Sequence, residues 1–197
     1  MFQSEKTTVC IIRHGETDWN ASGRLQGCED VAMNERGRIQ ARLAANYLSE
    51  YSWNYIFSSP LQRALETAEI INERIKLPQI CILDTLKERD YGQASGLLPD
   101  ERRLRFPDGI IPGQEDFDHL KERAMHALNS IVQCYTGKHL LIVTHGAFTN
   151  SILYSVSEGA YGSFKTRLKN GCINLLEFNK QHWDVVFYNK TPDELME

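Results

Sequence analysis

The chain has 197 residues, 42% of them hydrophobic and 24% charged, with a formal net charge of −4. Those values describe a single soluble globular domain, expected to span residues 1–197, and not a disordered or fibrous chain. The negative balance supplies no global field for polyanions, so nucleic acid is not an expected partner and any anion site must be a local cluster.

The N-terminal stretch MFQSEKTTVC has no basic segment leading into a long apolar core, so no leader is expected. No run approaches the roughly 20 apolar residues that span a membrane, and no membrane partner is expected. The five cysteines are odd in number, irregular in spacing and without a CxxC. They read as reduced thiols, and the expected location is cytoplasmic.

Taken in chain order, Thr8–Arg13 reads as a first, buried strand, followed by a glycine-punctuated loop through Asp30. A helix is expected over Asn34–Glu50, with Asn34 as N-cap and Ile39, Leu43 and Tyr47 on one face. Tyr55–Phe57 is a short strand. Ser59 as N-cap and Pro60 at the first helical position open a second helix to Arg74, with Leu61, Leu65, Ala68 and Ile71 inward. Ile80–Leu83 is a strand. Residues 92–114, rich in Gly, Pro, Asp and Arg, read as a lid-like excursion over the sheet edge. Asp116–Tyr135 carries an apolar stripe at spacings of three and four. Leu140–Thr144 is a strand with a helix, Ala147–Val156, behind it. Cys172–Phe178 and Trp183–Tyr188 close the sheet, the last as an antiparallel edge strand. The acidic tail 191–197 is expected to be mobile. Strands alternating with helices imply an α/β fold: a three-layer α/β/α sandwich with a mostly parallel central sheet.

Two of these strands end in histidine followed by glycine. Arg13-His14-Gly15-Glu16-Thr17 follows the first, and Thr144-His145-Gly146 follows the strand 131 positions later. In an open parallel sheet, carboxyl ends of strands face one crevice and ligands bind there. A neutral imidazole is a competent nucleophile toward phosphorus once its other ring nitrogen is held by an acceptor, and a carbonyl of the His14-Gly15 turn is placed to do this. Arg13 offers the planar donor fork that suits phosphate oxygens. Arg63 lies on the first turn of the second helix, where free N–H groups also favour anions; taken alone it would be a solvated helix arginine. Phosphate-ester cleavage needs an acid for the leaving alkoxide and a base for water, and one carboxyl can serve both steps. Glu88 is a candidate, but these considerations do not separate it from Asp84 or Asp90. His145, protonated or donating a hydrogen bond, would stabilise charge on the moving phosphoryl group. There is no HxxxH, no Cys/His cluster, no DxDxDG loop and no GxxxxGK[ST]. His14 and His145 make a poor metal pair with arginines beside them, so no metal and no other cofactor are expected.

In this order the motifs resemble the histidine phosphatase, or phosphoglycerate mutase-like, superfamily over nearly the whole chain. They are Arg13-His14-Gly15-Glu16-Thr17 with Asn20, Gln26-Gly27, Asn34-Glu35-Arg36-Gly37, Ser58-Ser59-Pro60-Leu61-Gln62-Arg63-Ala64 with Thr67-Ala68, Glu88-Arg89-Asp90-Tyr91-Gly92, and Thr144-His145-Gly146. The likeness is greatest to the family's small bacterial broad-specificity phosphatases. The resemblance implies a phosphoglycerate mutase-like fold and a metal-independent phosphatase acting on small phosphomonoesters through a phosphohistidine. It implies that His14 is the nucleophile, that Arg13, Arg63 and His145 form the phosphate pocket, and that Glu88 is the acid/base. Asn20, Gln26 and Gly146 would contact substrate.

The alternatives are a 2,3-bisphosphoglycerate-dependent mutase and a non-catalytic phospho-ligand module. The long mutase insertion after the glutamate motif is absent. Arg102, Arg103 and Arg105 lie ahead of where it would be, so the mutase arginine role is not transferred to them. Ala147-Phe148 stands where mutases carry polar residues. His14 and Glu88, whose loss would mark a binding module, are both present. Leu97, Leu98, Phe106, Ile110 and Ile111 suggest a partly apolar lid suited to hydrophobic esters.

Overall fold

The apolar run Val9–Ile12 forms the centre of β1 (Thr7–Arg13), and all four of its side chains are buried. This computed structural model describes residues 6–179 and 182–197; the first five residues, part of the stretch read as leader-free, lie outside it. Because successive strand residues face opposite sides, a strand apolar at every position must be covered on both faces. Val9 and Ile11 pack with Phe57, Leu140 and Ile142 under α5 (Phe117–Cys134) and α6 (Gly146–Val156). Cys10 and Ile12 pack with Ile56, Leu141 and Val143 under α2 (Glu35–Leu48) and α3 (Gln62–Ile75). The result is the expected three-layer sandwich, with one short helix, α1 (Asp18–Ala21), in the loop after β1.

Six strands order as β3-β2-β4-β1-β5-β6, with β2 Tyr55–Ser58, β3 Ile80–Ile82, β4 His139–Thr144, β5 Ile173–Asn179 and β6 His182–Lys190. The first four are mutually parallel, β5 is antiparallel to β1, and β6 is antiparallel to β5. The last strand is therefore an edge strand antiparallel to its neighbour, as expected, but the strand that runs against the sheet is β5. No helix among the described residues is long and apolar enough to cross a membrane.

Several local expectations need correction. In α2 the buried face is Gly37, Ala41, Ala44, Ala45 and Leu48, while Ile39 is 48% exposed. Close approach decides this register: a Cβ on Gly37 would stand 2.2 Å from Glu16 O, and one on Gly15 2.3 Å from Gly37 O. The helix start is pressed backbone to backbone onto the loop after β1, and that contact turns the small residues inward. The next helix begins later than predicted, at Gln62, with Leu61 at the cap position. Ser59 lies two residues ahead of the cap position, its hydroxyl meeting His145 and accepting from Leu61 N, and Asp30 accepts from Gln62 N at 2.6 Å. The inner face of α3 carries Arg63, Ala64 and Thr67 beside Ala68 and Ile71, and Leu65 is half-buried.

The tail is not a loose end in the structure. Residues Pro192–Met196 form α7, with Pro192 buried at the first helical position and Leu195 packed on the α2 side of the core. Glu194 accepts from Thr191 N at 2.9 Å and pairs with Lys169 Nζ at 2.5 Å. The 92–114 excursion is closed at its base by a bridge between Tyr91 and Gln114 and contains α4 (Pro99–Arg105).

Candidate active site

Strand register decides what meets at the carboxyl edge of the sheet. β1 pairs with β4 so that Arg13 lies opposite Thr144, and β4 pairs with β2 so that Val143 lies opposite Ser58. His14, His145 and Ser59, which follow these strands, therefore leave the sheet together. The two histidine rings stand with centroids 5.2 Å apart, and His145 Nε2 meets Ser59 Oγ at 2.8 Å.

His14 is 2% exposed, and its Nδ1 donates to Gly15 O at 2.7 Å. That bond assigns the neutral tautomer in which Nε2 holds the lone pair. Burial first, then the Arg63 and Arg13 charges, holds the His14 pKa well below the ordinary histidine value. The ring is thus neutral near pH 7, as a nucleophile requires. Gly15 N donates to Thr67 Oγ1 at 3.1 Å, which ties the turn to α3.

Arg63 is fully buried, and its Nε lies 3.3 Å from His14 Nε2. Its Nη1 and Nη2 donate to Glu29 O and Gly27 O, both at 2.7 Å. A buried guanidinium is tolerated only when its donors are met, and these two carbonyls of the glycine-punctuated loop meet them. Arg13 Nη1 donates to Leu168 O, while its buried Nε has no protein partner. The Cβ that Gly146 lacks would lie 3.2 Å from that nitrogen. Burial lowers the pKa of both arginines from the ordinary value, a shift that leaves a guanidinium charged.

Of the three acidic candidates, Asp84 and Asp90 are exposed, whereas Glu88 is 9% exposed and faces the cavity. Glu88 Oε1 accepts from Arg89 N and Phe148 N, both at 2.9 Å, and Oε2 from Ala147 N at 3.0 Å. The first turn of α6 therefore grips this carboxylate, so Ala147 and Phe148 act through backbone donors. His145 is fully buried, and burial followed by the Arg63 and His14 charges drives its pKa well below the ordinary value. Of the two forms considered for it, the neutral donor is the one present. Ser59 Oγ, which meets His145 Nε2, also accepts from Leu61 N at 3.3 Å. The other ring nitrogen, Nδ1, has no protein partner.

These groups border a cavity of about 550 Å³ at the sheet edge. Arg13, His14, Asn20, Gln26, Arg63, Glu88 and Gly146 line it; His145 lies behind His14 and does not. Asn20 Oδ1 is occupied by Thr17 N and Asn170 Nδ2, at 3.2 and 3.1 Å. Gln26 is 6% exposed with an unpartnered Oε1. No residue of 92–114 lines the cavity, so the expected apolar lid is not there. The excursion instead runs beside the 23–27 loop, through Gly96 N to Leu25 O at 2.8 Å, and Leu104 and Ile110 face solvent. The opposite wall comes from a segment to which the sequence reading gave no role, Thr166–Asn170, with Trp19, Arg24 and Tyr91 nearby. Its one sequence signal is the pair Arg167 and Lys169 just ahead of the final strands. Among the described residues, no group of three or more His, Cys, Asp or Glu is placed to hold a metal ion.

Residues 9–191 match the model of the Histidine phosphatase superfamily (branch 1). The chain is 44% identical over 183 residues to "Uncharacterized phosphatase PhoE" of Bacillus subtilis, covering 93% of this chain and 94% of that one. It is 32% identical to a "Metal-independent phosphoserine phosphatase" of Arabidopsis thaliana, covering 92% and 80%. Among solved structures, Bacillus stearothermophilus YhfR superposes with a TM-score of 0.85 at 28% identity, covering 91% and 95%.

Proposed function

Since the chain belongs to the histidine phosphatase superfamily, we propose that it is a metal-independent phosphatase that hydrolyses small phosphomonoesters through a phosphohistidine on His14. The observation that carries this reading is the His14 ring itself. It is neutral, its Nδ1 is fixed on Gly15 O, and its Nε2 lone pair is bordered by Arg63 at the floor of a cationic cavity.

In the first step His14 Nε2 attacks phosphorus while the ester P–O bond breaks. Glu88 delivers a proton to the leaving oxygen, and the alcohol departs. In the second step water attacks phosphorus, Glu88 takes its proton, and the P–N bond breaks. Inorganic phosphate leaves and the His14 lone pair is restored. Charge on the moving phosphoryl group spreads over its peripheral oxygens, so fixed donors lower the barrier. Arg13 Nε is a buried donor without a protein partner, and a phosphoryl oxygen would supply what it lacks; His145, behind His14, backs the ring that carries the phosphoryl group. Arg63 holds the charge beside Nε2, and Asn20, Gln26 and Gly146 contact the bound ester. The five unbridged thiols suit a reducing compartment, and the reading places the enzyme and its substrate in the cytoplasm.

The test is phosphate release from p-nitrophenyl phosphate in EDTA, wild type against His14→Ala, with alkaline quenching and mass spectrometry of the His14 peptide. The expected result is turnover that survives EDTA, disappears in the variant and leaves a phosphorylated His14. Turnover in His14→Ala, or loss of wild-type turnover in EDTA, would overturn the reading.

A further inference from the structure

The cavity is far more cationic than one phosphoryl group requires. Arg13, Arg24, Arg63, Arg167 and Lys169 line it, against Glu88 as the one acidic lining residue. Arg13 and Arg63 sit at the floor beside His14. Of the three outer cations, two are already engaged. Arg24 donates to Gly96 O and lies 3.9 Å from Glu101, and Lys169 pairs with Glu194 at 2.5 Å. The Arg167 guanidinium alone has no hydrogen bond or ion pair with any described residue, although it lines the cavity.

The backbone that carries this exposed side chain is fixed. Leu168 O accepts from Arg13, and Asn170 Nδ2 donates to His14 O at 3.2 Å. Asn189 holds both Lys169 N, at 2.8 Å, and Arg167 O, at 3.2 Å. Asn150 Nδ2 donates to Thr166 O at 2.9 Å. The segment's backbone is therefore preorganised at the rim of the site, with the exposed Arg167 side chain left open toward the ligand. Arg167 is also near enough to Arg13 for their like charges to oppose each other, the smallest of the effects on Arg13 after burial and the opposing influences of Cys172, Glu88 and Tyr91. An anion between the two would relieve that repulsion.

We infer that Arg167 is a specificity-determining residue: it binds a second anionic group, carboxylate or phosphate, on the alcohol portion of the substrate. The substrate class is then a phosphomonoester with a second acidic group, rather than the hydrophobic ester an apolar lid would suit. The inference rests on the phosphomonoesterase reading above. A cavity of about 550 Å³ has room for a three-carbon acid or a hexose ester.

The test compares matched esters that differ in that group. The pairs are 3-phosphoglycerate against glycerol 3-phosphate for a carboxylate, and fructose 1,6-bisphosphate against fructose 6-phosphate for a phosphate. A charge-assisted hydrogen bond predicts that Arg167→Met lowers the preference for the doubly anionic member of at least one pair by about tenfold. The loss should fall in KM more than in kcat, and Arg167→Lys should restore part of it. Whichever pair responds identifies the anion. Equal losses on both members of each pair, or no change in either ratio, would overturn the inference. Calorimetric binding of the same four ligands to His14→Ala and His14→Ala/Arg167→Met separates the two proposals. Wild type without turnover, but with binding preferences that still depend on Arg167, would sink the phosphatase reading and keep the anion reading. Binding preferences that ignore Arg167 would sink the anion reading whatever the turnover.

Discussion

The floor and the rim of this cavity are built in opposite ways. The floor consists of residues at or just beyond the carboxyl ends of parallel strands, or on the first turn of a helix behind one, and its catalytic candidates His14, Arg63 and Glu88 are buried and bonded to backbone. The Gly27, Glu29 and Gly15 carbonyls hold Arg63 and His14, and the Ala147, Phe148 and Arg89 amides hold Glu88. The rim consists of Trp19, Arg24 and Thr166–Asn170, where Lys169 pairs with the Glu194 side chain and the exposed Arg167 reaches solvent. Backbone partners cannot be exchanged by substitution, so the floor is suited to an invariant group of the substrate. Side-chain partners can be exchanged one at a time, so the rim is suited to the part that varies.

If that contrast is right, the largest effects belong to the floor. Arg63→Gln should lower kcat by about 10²–10³, the effect of removing one preorganised donor. It should also destabilise the fold by about 1–3 kcal/mol, because the Gly27 and Glu29 carbonyls lose a buried donor. Steady-state kinetics and urea unfolding of the same preparation check both. An effect on kcat without an effect on stability would mean that Arg63 is not the internal strut the geometry describes.

Glu88→Gln comes next, with a loss of about 10²–10⁴ on glycerol 3-phosphate, whose alkoxide needs a proton. The loss on p-nitrophenyl phosphate should be smaller, since its leaving group needs little help. The amide also places an N–H group against one of the backbone donors that Glu88 accepts, but that cost is common to both substrates. The ratio of the two losses is therefore the reading, and a ratio near one would remove Glu88 from the acid role.

Proton linkage gives a third and smaller effect. Both floor histidines have folded pKa values held well below the ordinary 6.5 by burial and neighbouring cations. Between the folded values and 6.5 the unfolded chain binds more protons, so stability rises with pH through that window and levels off above it. Stability should therefore fall below pH 6.5 by about 1.4 kcal/mol per pH unit for each histidine. Denaturant titrations at several pH values check this, and His145→Asn should remove about one histidine's share of the slope. A wild-type slope that is flat between pH 5 and 6.5 would contradict the neutral, buried floor.

The floor was also the part legible in the sequence. His14 and His145 directly follow apolar runs and Arg63 sits on the first turn of a helix, so strand-end geometry brought these three together before any coordinates, whereas Glu88, six residues past β3, was singled out only by the family resemblance. Its details were less legible. The register of α2 is set by Gly15 against Gly37, a contact between backbones that apolar periodicity does not report. Ser59 looked like a helix cap because capping chemistry and imidazole hydrogen bonding call for the same residue types. The rim was not legible at all: Thr166–Asn170 has no periodicity, and its partners Arg13, Asn150 and Asn189 are distant in sequence or lie on other elements. The excursion at 92–114 misled for the complementary reason, since apolar residues in a loop signal packing without saying against what.

The smallest effect is the one that separates charge from geometry at the rim. Lys169→Met and Arg167→Met each remove one positive charge from the same wall, two residues apart. If the rim acted only through its summed field, the two variants would lower kcat/KM for a doubly anionic ester alike, and added salt would erase both effects. The Lys169 ammonium is already paired with Glu194 at 2.5 Å, so its loss mainly frees a carboxylate at the surface. Exposed pairs of this kind contribute about 0–1 kcal/mol. Lys169→Met should therefore shift the preference between 3-phosphoglycerate and glycerol 3-phosphate by less than about threefold. Equal shifts in the two variants would make the rim a diffuse field. A shift confined to Arg167→Met would make the absence of a protein partner, and not charge, the property that marks a ligand-binding residue in this wall.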